Sequence, residues 1–277
     1  MKRTLCTRLF RATSAVAILA LTASAFAAPL SYTGGTYTQN FDALPSTGAS
    51  SVANRGPNYI NPSWSGVTGS NLEGWQFANP DGSSGSTEYR AQNGGSSGSA
   101  GRGVVSFGAT GSSERALGML LTSNQIPTFG LVLTNNTAQV LTSFTLSFTG
   151  EQWRRGDADP QSGLYFSYGL ASDIGASLTS YAPLDFTSPT AAPLNSALDG
   201  NLPANQVAKS ATITGLNWGI GQTLVLKWNS VELSGQDDGL AIDNLSFSAV
   251  PEPSSFALAA VGLVGAAGIV WRRRRSA

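Results

Sequence analysis

The chain has 277 residues, 16 Lys plus Arg, 16 Asp plus Glu, no histidine and one cysteine. Four basic residues lie in the first 27 positions and four in the last 28, so Ala28–Val250 keeps eight against fifteen acids, a net charge of −7. That polarity argues against nucleic acid or anionic lipid as the main partner. The absence of histidine excludes a Ser-His-Asp triad, a Cys-His pair and a histidine-ligated zinc, and leaves carboxylate chemistry, an oxygen-ligated metal or no chemistry.

Residues 1–27 read as an export signal. Lys2, Arg3, Arg8 and Arg11 form a basic start, Ala15–Leu21 an apolar run, and Ala25-Phe26-Ala27 a small-x-small site for signal peptidase. Ala28 is then the expected first mature residue. Cys6 lies within the signal, so the mature chain cannot rely on disulfides.

From Ala28 to Ala249 no stretch keeps a capped helical period. Short β-branched and aromatic runs alternate instead with Gly, Ser, Asn and Pro. The expected strands are Thr36–Phe41, Gly74–Ala78, Val104–Gly108, Leu117–Thr122, Phe129–Thr134, Val140–Phe148, Leu164–Gly169, Ala208–Ile213, Thr223–Trp228 and Leu240–Ser248. Ten strands in one unit predict an all-β fold, an antiparallel β-sandwich or jelly roll. Phe144, Leu146 and Phe148 alternate with Thr145 and Ser147, and Leu224, Leu226 and Trp228 with Val225 and Lys227, as half-buried antiparallel strands do. Asp81–Arg102 is linker-like in composition and reads as a mobile loop off the sandwich, with a ligand-gripping loop as the alternative.

Two polar stretches can carry a site. Thr149–Arg155 places Glu151, Trp153 and Arg154 straight after the best strand, a set able to hydrogen-bond and stack on a sugar. The same residues also suit a strand end in which Trp153 covers the core and Glu151 pairs with an arginine on the surface. Gln236–Phe247 closes the body, and its apolar parity switches from Leu240 and Ile242 to Leu245 and Phe247. Such a switch predicts a strand buried on both faces or a bulge near Asp243-Asn244. Asp243 sits among apolar neighbours and needs a cation or several hydrogen bonds.

Asn40-Phe41-Asp42, Gly74-Trp75 and Ala241-Ile242-Asp243-Asn244-Leu245 together resemble MAM-like and concanavalin-like jelly-roll modules. The resemblance implies that first and last strands are neighbours and that calcium is held by Asp42 and Asp243, with Asp237 or Asp238 as further ligands. The alternative is that these acids cap turns or accept backbone N–H bonds.

The tail, residues 250–277, reads Val-Pro-Glu-Pro-Ser-Ser, then sixteen apolar or small residues (256–271), then Arg272–Arg275. Sixteen helical residues span about 24 Å, short of the roughly 30 Å hydrocarbon core, which suits a temporary transmembrane helix. The arginines keep the tail's end cytoplasmic and the body outside. This order resembles the PEP-CTERM sorting tail of Gram-negative bacteria, with Pro251, Glu252 and Pro253 as the sorting motif. The resemblance implies an exosortase partner, a passing stay in the inner membrane, and delivery to the cell surface or extracellular matrix.

The function expected is that of a non-enzymatic surface or matrix protein associated with exopolysaccharide. The alternatives are a carbohydrate-binding module and, behind it, a carboxylate-based glycosidase or lyase. The last needs two carboxylates about 5–9.5 Å apart, and sequence does not identify them.

Overall fold

A computed structural model describes residues 28–52, 72–78, 87–98, 101–123 and 125–251. The signal segment, the transmembrane helix at 256–271, Glu252, Pro253 and the arginine cluster lie outside the described residues. Among the described residues no helix is long and apolar enough to cross a membrane.

The described chain is nearly all β. Its strands are β1 (Leu30–Tyr32), β2 (Thr36–Gln39), β3 (Ala49–Val52), β4 (Trp75–Ala78), β5 (Thr87–Gln92), β6 (Gly103–Phe107), β7 (Ala116–Leu120) and β8 (Thr128–Asn135). They continue with β9 (Leu141–Arg155), β10 (Gly163–Leu170), β11 (Thr179–Ser180), β12 (Phe186–Thr187), β13 (Ser196–Ala197), β14 (Gln206–Trp218), β15 (Thr223–Asn229) and β16 (Gly239–Val250). All ten expected strands are present. The additional ones are short or poor in large apolar residues, and tertiary pairing rather than local pattern makes them strands.

Two sheets form the sandwich. One runs β1-β8-β15-β10-β11, with β4 also on β8 and β12 also on β10. The other runs β13-β9-β16-β7-β6-β5-β3, with β14 also on β9 and β2 also on β16. Pairing is antiparallel except for β1 with β8 and β5 with β6. Of the stretch Asp81–Arg102, expected as a mobile loop, Thr87–Gln92 needs correction: it is β5 and zips onto β6 from Tyr89↔Val104 to Gln92↔Phe107, while residues 81–86 and 99–100 lie outside the described residues.

The main core fills the space between the sheets. Trp228 on β15 is its centre, with ring centroids 6.0 Å from Trp75, 5.8 Å from Phe129, 5.2 Å from Phe166 and 5.6 Å from Phe148 of the opposite sheet. Each such side chain contributes roughly 2 kcal/mol through burial. Phe144, Leu146 and Phe148 face inward as their alternation requires, and so do Leu224, Leu226 and Trp228. Val225 is buried too, against Val132 and Ile174, because a loop covers that outer face.

Around β6 and β7 the second sheet is covered on both sides. Its outer face carries Val105, Phe107, Ala116, Leu120, Trp153 and Ala241 as a separate apolar cluster. That is why β6 and β7 are buried at every position and lack alternation.

Candidate functional site

The site begins with the irregularity in β16. The register against β9 shifts between Asp243 and Ser246, and Asn244 adopts φ +50. Asparagine tolerates this left-handed backbone better than most residues, so the bulge falls where the parity break predicts it. On the other edge of β16, Leu240–Ile242 pair with β7 and Leu245–Ser248 pair with β2. Asp243 therefore stands where one neighbouring strand ends and the other begins.

The chain ends flanking that gap bring further acids. Asp42 follows β2, and its Oδ1 accepts the backbone N–H of Arg115 at 3.1 Å, just before β7. This bond holds Asp42 beside the turn that carries Glu114. Glu151 on β9 sits opposite Ala241, on the same outer face as Asp243 opposite Thr149.

One carboxylate oxygen each from Glu114, Glu151 and Asp243 lies within 4.8 Å of the others. Glu151 is wholly buried, Asp243 is buried and Glu114 half-buried. Among the described residues, no lysine or arginine forms an ion pair with any of the three. The Arg115 guanidinium turns away, donating from Nε to Ser106 Oγ at 2.8 Å and from Nη2 to the Ser106 carbonyl.

Neutral donors hold the outer oxygens in place. Glu151 Oε2 accepts from Trp153 Nε1 at 2.8 Å and Oε1 from Gln206 Nε2 at 3.3 Å. Glu114 Oε2 accepts from Asn201 Nδ2 at 2.5 Å, and Asp243 Oδ2 from Asn244 Nδ2 at 2.7 Å. Glu114 Oε1 and Asp243 Oδ1 are buried without a hydrogen-bond partner.

Two unit charges at this spacing repel by about 3 kcal/mol at an effective dielectric of ~20. Burial, with Asp243 and Glu114 close by, pushes the Glu151 carboxyl up to about 8 despite the Trp153 bond. Burial chiefly, with Glu114 and Asp42 close by, pushes Asp243 up to about 7. Such a cluster must take up protons or a cation. Its donors are all oxygen, which matches calcium or magnesium rather than zinc or copper. Glu114, Glu151 and Asp243 are the residues that would hold the ion; Asp42, an expected ligand, is exposed beside them and outside that group, with its two oxygens taken by the Arg115 N–H and Asn40 Nδ2.

The acids at the start of β16 have separate positions, and here the expected ligand set needs correction. Asp238 forms an ion pair with Arg155 Nη1 at 2.9 Å and accepts from the Gly156 N–H at 2.7 Å, Ser162 N–H at 3.3 Å and Ser188 Oγ at 2.5 Å. With both oxygens used it is a structural knot rather than a ligand. Asp237 accepts from Ser162 Oγ at 3.1 Å and is not part of the cluster around Asp243.

A sugar platform at Glu151, Trp153 and Arg154 also needs correction. Trp153 has no exposed surface; its ring lies parallel to Phe107 at 6.1 Å, and Gly200 crosses its other side. A Cβ at Gly200 would come within 2.3 Å of the indole nitrogen, so only glycine allows this crossing. Arg154 is buried as well, donating to the Gly94 carbonyl at 3.0 Å and to Gln236 Oε1 at 3.3 Å. Glu151 accordingly belongs to the carboxylate cluster.

Sequence reasoning picked out Asp243 but missed Glu114 and the place of Glu151 in the carboxylate cluster. One signal for the latter was present, since residues i and i+2 on a strand share a face and put Trp153 over Glu151. Nothing local marks Glu114.

Beside the cluster lies an open polar cavity of about 680 Å³, lined in part by Tyr37, Asn40, Glu73 and Asn244. One of its amides connects to the cluster, Asn244 Nδ2 donating to Asp243, and another, Asn40 Nδ2, donates to the neighbouring Asp42 Oδ2 at 2.6 Å.

Several solved structures resemble the chain. The K3 cleaved adhesin domain of Lys-gingipain from Porphyromonas gingivalis w83 is 14% identical, with 72% of this chain and 99% of that one covered and a TM-score of 0.36. A non-crystalline cellulose specific carbohydrate-binding module, CBM28, is 12% identical over 71% and 97%, with a TM-score of 0.31. The enzymatically active domain of bacteriophage CBA120 tailspike protein 4 is 10% identical over 65% of this chain, which spans only 20% of that one, with a TM-score of 0.34. Likenesses this remote say nothing about a ligand. No curated protein matches the chain. The tail does match a family model: residues 249–275 carry the PEP-CTERM protein-sorting motif, which implies export, a membrane-anchored sorting intermediate and processing by an exosortase.

Proposed function

We propose that the chain is a non-enzymatic protein of the Gram-negative cell surface or extracellular matrix, associated with exopolysaccharide through a calcium-stabilised sandwich. The sorting motif at 249–275 supports the destination. The observation that carries the calcium reading is the pair of buried oxygens, Glu114 Oε1 and Asp243 Oδ1, left without partners inside a three-carboxylate cluster. The burial of Glu151 and Asp243 favours a structural ion over catalysis, because a polymer substrate cannot reach them. In this reading calcium fastens β9, β16 and the turn before β7 at the point where they meet.

The test uses the host's own full chain, followed by cell fractionation and by retention on the host polysaccharide with calcium or with chelator. The expected result is a surface-fraction protein retained only with calcium, with no sugar released. Confinement to the inner membrane would overturn the destination, and released sugar would make the protein an enzyme.

A carbohydrate-binding reading is favoured by one specific observation, the cavity beside the cluster. Tyr37, Asn40, Glu73 and Asn244 offer a ring, two amides and a carboxylate to a polyhydroxylated ligand. Replacing Glu73 with Gln and Asn40 with Ala would weaken sugar retention at least tenfold in this reading, and unchanged retention would remove it.

A further inference from the structure

The end of the sandwich from which the tail departs is built from uncharged chain. No Asp, Glu, Lys or Arg occurs in residues 28–41, 116–150, 210–226 or 244–251. Three turns of these stretches meet there, residues 33–35, 136–140 and 219–222, joining β1 to β2, β8 to β9 and β14 to β15. Asn135 ties two of them together. Its Nδ2 donates to the Gln139 carbonyl at 2.9 Å and the Trp218 carbonyl at 2.8 Å, and its own carbonyl accepts the Gly221 N–H at 2.7 Å. Tyr32, paired with Asn135, ties the third turn to the last strand. Its hydroxyl donates to the Gly35 carbonyl at 2.7 Å and accepts the Ala249 N–H at 2.8 Å. Val250, paired with Ser143, therefore leaves the fold at this end. Val140, Ile220 and Val250 are exposed there. A fourth connection, residues 171–178, carries Asp173 but folds back over the outer face. Its Ile174 N–H donates to Gln76 Oε1, and its side chain packs on Val132 and Val225. Glu73 stands to the side, at the cavity lined by Leu30 and Tyr37.

We propose that this uncharged end is a membrane-facing surface, seated on the lipid headgroups while the sorting intermediate is anchored. The inference rests on the reading of the tail and is independent of calcium. Phe256, the first of the sixteen apolar or small tail residues, follows Val250 by six positions, a reach of at most about 20 Å. So short a tether keeps this end beside the bilayer at a high effective concentration, where a few weak contacts suffice to orient the body. Val140 and Ile220 supply apolar contacts, and Thr33, Asn136 and Gln139 supply hydrogen bonds to headgroups. The lack of charge matters because the body carries −7 and would be repelled by a leaflet containing anionic lipid. Asp243 lies seven residues back from Val250 along β16, about 23 Å, and Glu151 eight residues from Ser143 along β9, about 26 Å. Both distances exceed twice the Debye length of about 8 Å at physiological ionic strength, so the repulsion is largely screened. Seated this way, the sandwich turns its acidic end away from the membrane.

The test reads lipid proximity at single sites. The full chain, with Cys6→Ser to remove its one cysteine, receives Ile220→Cys or, in the exposed β15–β16 loop at the acidic end, Val231→Cys. Each new thiol carries a fluorophore. The chain is reconstituted through its tail into vesicles of phosphatidylethanolamine and phosphatidylglycerol that hold a doxyl lipid quencher at headgroup depth. Quenching several-fold stronger for Ile220→Cys than for Val231→Cys is expected. Equal quenching at both sites, or none at either in chains that float with the vesicles, overturns the docking and leaves the sorting tail standing. Chains that do not float with the vesicles remove the anchored intermediate and the docking together. Protection of the Ile220→Cys probe in host membranes but not in pure lipid also overturns the proposal, with a protein as the cover instead. Should Ile220→Cys lose its β circular-dichroism signal, Val140→Cys on the neighbouring turn takes its place under the same criterion.

Discussion

The Trp153 indole donates a 2.8 Å hydrogen bond to Glu151, two residues earlier on the same strand. The bond fixes a buried carboxylate against Asp243 and Glu114, and the ring seals that carboxylate from the side of Phe107. An aromatic residue that reads as a candidate sugar platform is thus a support for a charged cluster. Replacing Trp153 with Phe would keep much of the stacking, leave Glu151 one donor short and cost about 1–3 kcal/mol. Trp153→Ala would cost about 3–5 kcal/mol through the cavity it leaves. Denaturant unfolding with both variants checks this; if Trp153→Phe were neutral, the bond would not be supporting the carboxylate.

Calcium should raise the melting temperature of the unaltered chain and chelator should lower it. At a calcium concentration a hundredfold above Kd the stabilisation is about 2.7 kcal/mol per site. Glu114→Gln removes one of the cluster's three charges and turns one of its carboxylate oxygens into an NH2 donor, so its thermal shift with calcium should be smaller than that of the unaltered chain. Equal shifts in both proteins would show that Glu114 does not touch the ion.

The same cluster fixes a pH dependence in calcium-free solution. Glu151 and Asp243 are raised to about 8 and about 7 in the folded chain, above their ordinary carboxylate values. The native state then binds more protons than the unfolded state between the ordinary values near 4 and these raised ones, so stability falls as pH rises through that window. Each proton so retained changes the slope by about 1.4 kcal/mol per pH unit. With calcium bound the acids are already ionised, so the fall should vanish and calcium affinity should drop on acidification. Melting curves from pH 5 to 8 with and without chelator measure both; a chelated protein whose stability rose with pH would contradict the raised values.

Asp238 gives a contrasting prediction. Asp238→Ala would leave Arg155 buried and uncompensated, a loss of about 3–5 kcal/mol. The calcium count should nevertheless stay unchanged wherever the variant remains folded. Fewer bound ions in folded Asp238→Ala would return this residue to the ligand set.

The sequence alone determined the strands with clear alternation, such as Phe144 to Phe148, because a period of two on a half-buried sheet is a local property. It also determined the sorting tail, and it narrowed the parity break at Asp243-Asn244 to a bulge or a strand buried on both faces, since a linear motif and a parity break need no distant partner; the register shift against β9 decided for the bulge. Tertiary structure decided the rest. Thr87–Gln92 became a strand by pairing with β3 and β6, and Trp153, on the side of β9 that alternation assigns to solvent, became buried because Phe107 and the chain around Gly200 cover it. Glu114 joined Glu151 and Asp243 because β7 and β9 flank β16 on opposite edges, a neighbourhood that exists only once the sheet has assembled. Carboxylates in a shared site attract no local pattern, because their interaction depends on distance in space rather than on spacing along the chain.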